Sequence, residues 1–447
     1  MTAVSELFRM KPVEPMGNAC RTQNKRNNEA MTACSDNNVV KTLPGLGEVE
    51  GVQFAGYVPV TGEANPSTAT GGDESLFYWF VGTDDWASRP TVVWSNGGPG
   101  SSSFWGFFTE NGPYVVEDAD TPKLSVRETA WNKDVNYLMI EHPLSVTLSF
   151  AKDAANIPAN VEAGTVQYYQ ALLNIIAKHP EIKNNPLVLA GESYAGTYLP
   201  LLAKAIRDGG VLREQLKAVV LVDAWVNPYV QMAQDTNYAF MHGLISRAQK
   251  DALDAKYEHN YPAVNAAISA LCPELYMANT ALAGDPPFDP VMKYLNRPDV
   301  RAAINVSNDT VFTANYSQQI SDNYAAGVND SYAGTVQELM EGEDGLRMII
   351  VSGLNDAKDC NFLGTGAWLE LLEGTSAARF EGADTVPWVD KDAPVPYLGS
   401  VQDGATTAGG IDKDGGKLAW VKVMNAGHLA VGDQPLLLGK LRELGEF

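Results

Sequence analysis

The chain has 447 residues, 45% of them hydrophobic, enough to bury a substantial core in one large domain with an insertion or in two to three domains. Its 54 acidic against 32 basic residues give a formal net charge of −22, which argues against nucleic acid as a main partner and suits either solubility or an acidic compartment, where partial protonation relieves self-repulsion. Four cysteines do not make a disulfide scaffold, no apolar run is long enough for a membrane span, and the first residues lack the apolar stretch of a secretion signal.

Residues 1–43 are polar and weakly patterned and read as an arm or pro-segment, within which Cys20 and Cys34 can pair. Aromatic and β-branched residues dominate 52–60 and 75–81 on either side of a Gly/Ser/Thr-rich stretch, which predicts a hairpin with a long loop. Thr91-Val92-Val93-Trp94 is a short strand ending in Asn96-Gly97-Gly98-Pro99-Gly100, and residues 135–140 form another. Residues 160–178 carry Val161, Val166, Tyr169, Leu172, Leu173 and Ile176 at helical spacing. Buried strands follow at 186–190, 219–222, 348–351 and 418–423. Short apolar strands alternating with helices predict an α/β fold, a largely parallel sheet covered on both faces. From 226 to 335 the pattern turns irregular and reads as an insertion over the carboxyl edge of the sheet, between core segments 44–225 and 336–447.

The strand at 186–190 runs into Gly191-Glu192-Ser193-Tyr194-Ala195-Gly196 and then into a helical stretch from Thr197. A G-x-S-x-G turn between strand and helix is the layout of a nucleophile elbow, with glycines where side chains would clash and the hydroxyl exposed at a helix N-terminus. A serine hydroxyl needs a histidine base, itself held by a carboxylate. Of His142, His179, His242, His259 and His428, only His428 lies late, in a loop after the strand at 418–423. His179 and His259 sit in polar stretches and read as solvated, and His142 beside Pro143 reads as a packing or capping residue. For the acid, Asp356 follows the strand at 348–351, with Asp359 as its competitor.

Several ordered blocks resemble the serine carboxypeptidase family. Trp94-Ser95-Asn96-Gly97-Gly98-Pro99-Gly100-Ser101-Ser102 resembles its W-x-N-G-G-P-G-C-S, Glu110-Asn111-Gly112-Pro113 its E-x-G-P, and the elbow its G-E-S-Y-A-G. Residues 294–300 resemble its Y-L-N-x-P-x-V; Asp356, Cys360-Asn361 and Gly364 resemble its D-x-x-C-N-x-x-G, and Gly427-His428 its G-H. The resemblance implies an α/β-hydrolase fold with an inserted, mainly helical lid, and release of single residues from peptide or protein C-termini through an acyl-enzyme. It implies Ser193 as nucleophile, His428 as base and then acid, Asp356 as the orienting carboxylate, and the Gly98 and Tyr194 N–H groups as the oxyanion hole. It further implies a receptor for the substrate's free carboxylate, made of Asn96, Gly97, Glu110 and Glu192. A carboxylate facing two glutamates requires that they share protons, so peptide cleavage is expected to favour acidic pH while cleavage of carboxylate-free esters persists towards neutral. No cofactor or metal is expected, and the sequence leaves the oligomeric state open.

The match departs from the family at Ser101, which stands where a cysteine is usual, and in Leu354-Asn355 before Asp356. It departs again in Leu221-Val222-Asp223-Ala224-Trp225, where the family has G-N-G-W, and in Ser145-Val146-Thr147-Leu148. Cys360 reads as a buried thiol rather than a metal ligand. Asn305, Asn308, Asn315 and Asn329 open N-x-[ST] sequences whose glycosylation requires export. The family implies a secreted or vacuolar/lysosomal location. An acyltransferase on the same framework, or a silent binding scaffold, are the alternatives to a peptidase.

Overall fold

Runs such as Thr-Val-Val-Trp and Leu-Val-Leu-Ala have no polar face, so they are stable only where both faces of a sheet are covered. The computed structural model describes residues 38–447, apart from 61–72, 83–84, 119–122, 259, 283, 285, 308–313, 343, 359, 390–408, 436 and 446. Most of the N-terminal arm with Cys20 and Cys34, and also His259, Asn308 and Asp359, lie outside the described residues.

The main-sheet strands, in chain order, are β1 (Val52–Pro59), β2 (Glu74–Gly82), β3 (Thr91–Ser95), β4 (Asn136–Ile140), β5 (Leu187–Glu192), β6 (Leu216–Val222), β7 (Arg347–Gly353), β8 (Thr385–Val389), β9 (Gly409–Asp414) and β10 (Leu418–Val423). They lie in the order β8-β9-β10-β7-β6-β5-β3-β4-β2-β1, with the short strand Phe150–Ala151 also paired to β2. The central run from β10 to β4 is parallel, and the pairs at either edge, β8-β9-β10 and β4-β2-β1, are antiparallel. Every residue of β3, β4 and β5 is buried. This is the largely parallel sheet that the strand–helix alternation predicts, and the α/β-hydrolase fold that the resemblance implies.

Helices α1 (Val161–Lys178) and α2 (Ala195–Gly209) cover one face, packing Tyr168, Leu172, Leu199 and Leu202 against Leu138, Leu189 and Leu221. The start of α1 is fixed by Asn160, whose side chain accepts the Ala163 N–H at 2.9 Å. The C-terminal helix Leu437–Gly445 covers the other face through Leu437, Leu441 and Leu444, packed against Val220, Ile349 and Ala419.

Between β6 and β7 the described residues form eight short helices and no strand of the sheet, from Pro228–Met232 to Ala333–Met340. None exceeds 11 residues, so an apolar face completes about three turns at most before the chain changes direction. That is why residues 226–335 look irregular in sequence yet are helical. Their boundaries are local: Pro228, Pro262, Pro290 and Pro298 sit in first turns, and Ser246 and Gln249 form a reciprocal capping box.

One sequence expectation changes on folding. His179 is buried rather than solvated, because its ring stacks on Phe54 at 4.0 Å and its Nε2 meets the Tyr78 hydroxyl at 2.8 Å. Burial pushes that imidazole down to about 3, which keeps it neutral. Cys360 is a buried free thiol and Cys272 a partly buried one. Within β5, a Cβ on Gly191 would lie 2.3 Å from the Ser95 carbonyl oxygen of β3, where only backbone movement relieves the clash. Gly191→Ala is therefore expected to lower the melting temperature by about 5 °C or more, read by calorimetry; an unchanged transition would contradict the packing described.

Candidate active site

β5 delivers Ser193 at the carboxyl end of the sheet. The residue is held at φ +59°, a left-handed conformation costly for a non-glycine side chain and therefore fixed by its surroundings. Its N–H donates to Val222 O at 3.0 Å, and its carbonyl accepts the N–H groups of Gly196 at 2.9 Å and Trp225 at 2.8 Å. A Cβ at Gly196 would lie 2.8 Å from the Trp225 backbone, so the second elbow glycine is demanded by the chain leaving β6. The turn has the shape the sequence predicts.

His428 follows β10 in a loop that passes close to the insertion. Its N–H donates to Ala278 O at 2.7 Å, and a Cβ on Gly427 would lie 2.2 Å from that same oxygen. The Asp433 carboxylate holds this turn by accepting from the Gly427 N–H and the Asn279 amide, each at 2.8 Å. His428 Nδ1 lies 2.8 Å from Asp356 Oδ2, while Asp356 Oδ1 accepts the Lys358 N–H at 2.8 Å. Asp356 is fully buried. Its loop is tied on three sides: the Tyr238 hydroxyl donates to Leu354 O at 2.9 Å, the Asn355 N–H to Ala426 O at 2.8 Å, and the Ala357 N–H to Met277 O at 2.9 Å. The carboxylate that meets the late histidine is thus Asp356.

Asn96, Gly97, Gly98, Glu192, Ser193 and His428 line one cleft of about 310 Å³. Glu110 opens instead onto an adjoining pocket of about 90 Å³, and the two share Tyr276, Ala278 and Leu429 as walls. Gly97 packs so tightly on the elbow that a Cβ there would lie 2.2 Å from the Tyr194 backbone nitrogen. Gly98 follows at φ +111°. Among the described residues, neither the Gly98 nor the Tyr194 N–H donates to a protein acceptor; Gly98 lines the cleft, and the Tyr194 nitrogen lies against Gly97.

Asn96 is pinned by its oxygen. Its Oδ1 accepts the Trp94 indole N–H at 2.9 Å and the Gly106 N–H at 3.0 Å, so its NH₂ faces the other way. That NH₂ donates to Glu110 Oε1 at 3.1 Å and Glu192 Oε1 at 2.8 Å. Both glutamates are buried, and the second oxygen of each has no N–H or O–H donor from any other described residue. Burial raises the Glu110 carboxyl, with hydrogen bonds from Glu192 and Asn96 pulling back. Burial and then the negative charge of Glu110 hold Glu192 well above the usual range.

Sequence reasoning missed Glu141. It lies buried behind the Gly97–Ser102 loop, accepting the hydroxyls of Ser102 at 2.9 Å and of Thr147, and burial pushes it up to about 7. An acid placed directly after the apolar run Leu138-Met139-Ile140 of β4 was the available signal. Asp356, Cys360 and His428 also offer one donor atom each within 4.8 Å of one another, but Nδ1 and Oδ2 are already bonded to each other, so the cluster holds a hydrogen bond where a metal would need open ligands.

A nucleophile elbow on a mainly parallel sheet, with a carboxylate-held histidine in the same cleft, defines a serine hydrolase of the α/β-hydrolase fold. The family model described as serine carboxypeptidase matches residues 44–282 and 277–440, and the chain belongs to that family. "Serine carboxypeptidase-like 48" of Arabidopsis thaliana is 27% identical over 393 residues, 80% of this chain and 72% of the relative. "Venom serine carboxypeptidase" of Apis mellifera is 28% identical over 419 residues, 87% of this chain and 83% of the relative. Among solved structures, a prohormone-processing carboxypeptidase from Saccharomyces cerevisiae superposes with a TM-score of 0.73 at 22% identity, covering 92% of this chain and 95% of the other, which shows the shared fold.

The buried carboxyls make stability depend on pH with a definite sign. Burial raises Glu110, Glu141 and Glu192 above the range they have in the unfolded chain, so the folded state binds more protons above the ordinary carboxyl range. Their contribution is complete below the unfolded value of 4.5 and is lost as pH rises through the folded values; for Glu141, from 4.5 to about 7, the loss is on the order of 3 kcal/mol. The melting temperature should fall as pH rises from 5 to 8, and Glu141→Gln should flatten part of that slope; a flat or rising wild-type curve would contradict the assignment.

Proposed function

We propose that this chain releases single C-terminal amino acids from peptides through an acyl-enzyme on Ser193. The observation that carries this reading is the Asn96–Glu110–Glu192 cluster beside the elbow, because a serine hydrolase acting on internal bonds or plain esters has no use for a carboxylate receptor there. The helices between 226 and 335 act as the lid over it, and the core comprises 44–225 and 336–447.

In this mechanism the terminal carboxylate of the substrate takes over one of the two Asn96 N–H bonds made to the glutamates and meets the Gly97 backbone and the proton on the pair. The scissile carbonyl then lies over Ser193 with its oxygen towards the Gly98 and Tyr194 N–H groups. Ser193 Oγ forms a bond to the carbonyl carbon as its proton passes to His428 Nε2, and ionised Asp356 stabilises the imidazolium through Nδ1. The oxyanion is held by the two N–H groups; losing one such donor typically costs about 100- to 1000-fold in rate. His428 returns the proton to the departing amine as the C–N bond breaks, leaving the acyl-enzyme. Water, activated by the same ring, then attacks the ester carbon and regenerates Ser193.

The acidic preference follows from the pair. When both glutamates ionise they repel the substrate carboxylate, so peptide kcat/KM falls as pH rises through the raised range, while an ester with a blocked carboxyl terminus escapes this limit. By resemblance the working compartment is an acidic or extracellular one of the secretory route. No helix of the described residues is long and apolar enough to cross a membrane.

N-blocked dipeptides assayed between pH 4 and 7 test the proposal. Ser193→Ala should lower release of the C-terminal amino acid by a factor on the order of 10⁴ or more. Labelling by a serine-directed phosphonate without amino-acid release would favour acyl transfer instead, and absence of labelling a silent scaffold. Separately, peptide and carboxyl-blocked ester should give different pH profiles in the wild type, and Glu192→Gln should bring them closer; superimposable wild-type profiles would remove the shared-proton receptor.

A further inference from the structure

Asp223 is a buried acid that the mechanism above does not use. It is the residue after Val222, the last of β6, which pairs with Glu192 of β5 on one side and Val351 of β7 on the other. The residue is fully buried and held at φ +38°. Its backbone N–H donates to Val351 O at 2.9 Å, and its Oδ1 accepts the Gly353 N–H at 2.8 Å. These two bonds bracket the end of β7, from which the chain turns into the loop carrying Asp356. Room for adjustment is small there, since a Cβ on Gly353 would lie 2.0 Å from Gly427 O in the histidine loop.

The hydrogen bonds around the two aspartates are unequal. Asp356 accepts from the Lys358 N–H and faces the His428 ring nitrogen, as an ionised carboxylate requires. Asp223 accepts from one backbone N–H, and its Oδ2 has no partner among the described residues. The ionisable groups that act on it or feel its charge are Asp356, Asp433 after β10, Glu192 on β5 and the Tyr238 phenol on the helix Asp235–Met241, and none of these is a cation.

We propose that Asp223 is a positioning residue that works as a neutral acid, strapping the end of β7 so that Asp356 meets His428, and that its ionisation sets the alkaline limit for every substrate. Ionised, it faces the charge of Asp356 across the same strand end and pushes the acid loop out of line with the imidazole. Burial holds its carboxyl well above the usual range, the direction this role needs. The proposal rests on the serine carboxypeptidase reading, but it differs from the Glu110–Glu192 limit, because it acts on esters that have no carboxylate to bind.

Asp223→Asn keeps the acceptor for the Gly353 N–H and cannot ionise. Its kcat and KM for a carboxyl-blocked ester, measured against pH beside wild type, should show the alkaline fall of kcat moved up by about one pH unit or more, with KM little changed. Asp223→Leu, which removes the acceptor, should lower kcat for ester and peptide alike. The melting temperature of Asp223→Asn should fall less than that of wild type between pH 5 and 8. An unmoved alkaline limb overturns the proposal even where melting changes, since a purely structural carboxyl would move melting alone. A wild type that cleaves neither substrate sinks the carboxypeptidase reading instead; Asp223 is then judged on melting, where superimposed pH curves overturn its neutrality.

Discussion

The side-chain amide of Asn96 is the constraint on which the site depends. Its oxygen is taken by Trp94 Nε1 and the Gly106 N–H, so its nitrogen has to face Glu110 and Glu192. Two carboxyls converge on one NH₂ group in a buried place, and two negative charges there would be too costly to desolvate and too close to coexist. A retained proton resolves both problems. On the proposed function, it also turns a pair of acids, which would repel a peptide's terminal carboxylate, into a surface that donates hydrogen bonds to it.

The sheet supplies the precision that this arrangement needs. Asn96 follows β3, Glu192 ends β5 and Ser193 follows it, Asp223 follows β6, Asp356 follows β7 and His428 follows β10. All five strands are parallel neighbours, so their carboxyl ends open on the same edge and chain segments hundreds of residues apart meet there. Loop geometry is then fixed by contacts with no slack: Gly97 against Tyr194, Gly353 against Gly427, and Gly427 against Ala278. The same edge collects Glu110, Glu192 and Asp223, all raised by burial, so acid conditions suit the stability of the fold.

How far the sequence discloses this depends on whether a residue's role is local. The elbow was legible because its motif is complete within six residues, although Ser95 and Trp225, distant in sequence, are what demand its glycines, and the strands because buried parallel strands are largely apolar. The proposal that Glu110 and Glu192 share a proton came from chemistry once resemblance had brought the two together. Other features were hidden because their partners lie far away. His179 looked solvated until Phe54 and Tyr78 closed over it. Glu141 reads as an ordinary acid until Ser102 and Thr147 surround it. Asp223 showed only as a departure from a familiar block, and its single hydrogen bond to Gly353 is a fact of tertiary structure. The insertion was legible as a break in the pattern and its helical character only by resemblance, because helices this short give periodicity too little length to register.

The claim that a proton resides on the Asn96-bound pair can be observed without any substrate. Infrared difference spectra recorded during a pH titration distinguish a neutral carboxyl, through its C=O stretch, from a carboxylate. The account predicts a neutral-carboxyl band that persists well above about pH 5, where ordinary glutamates have already ionised, and that loses intensity in Glu192→Gln. A wild-type spectrum in which every carboxyl has ionised by that pH, or a persistent band untouched by the substitution, would contradict it.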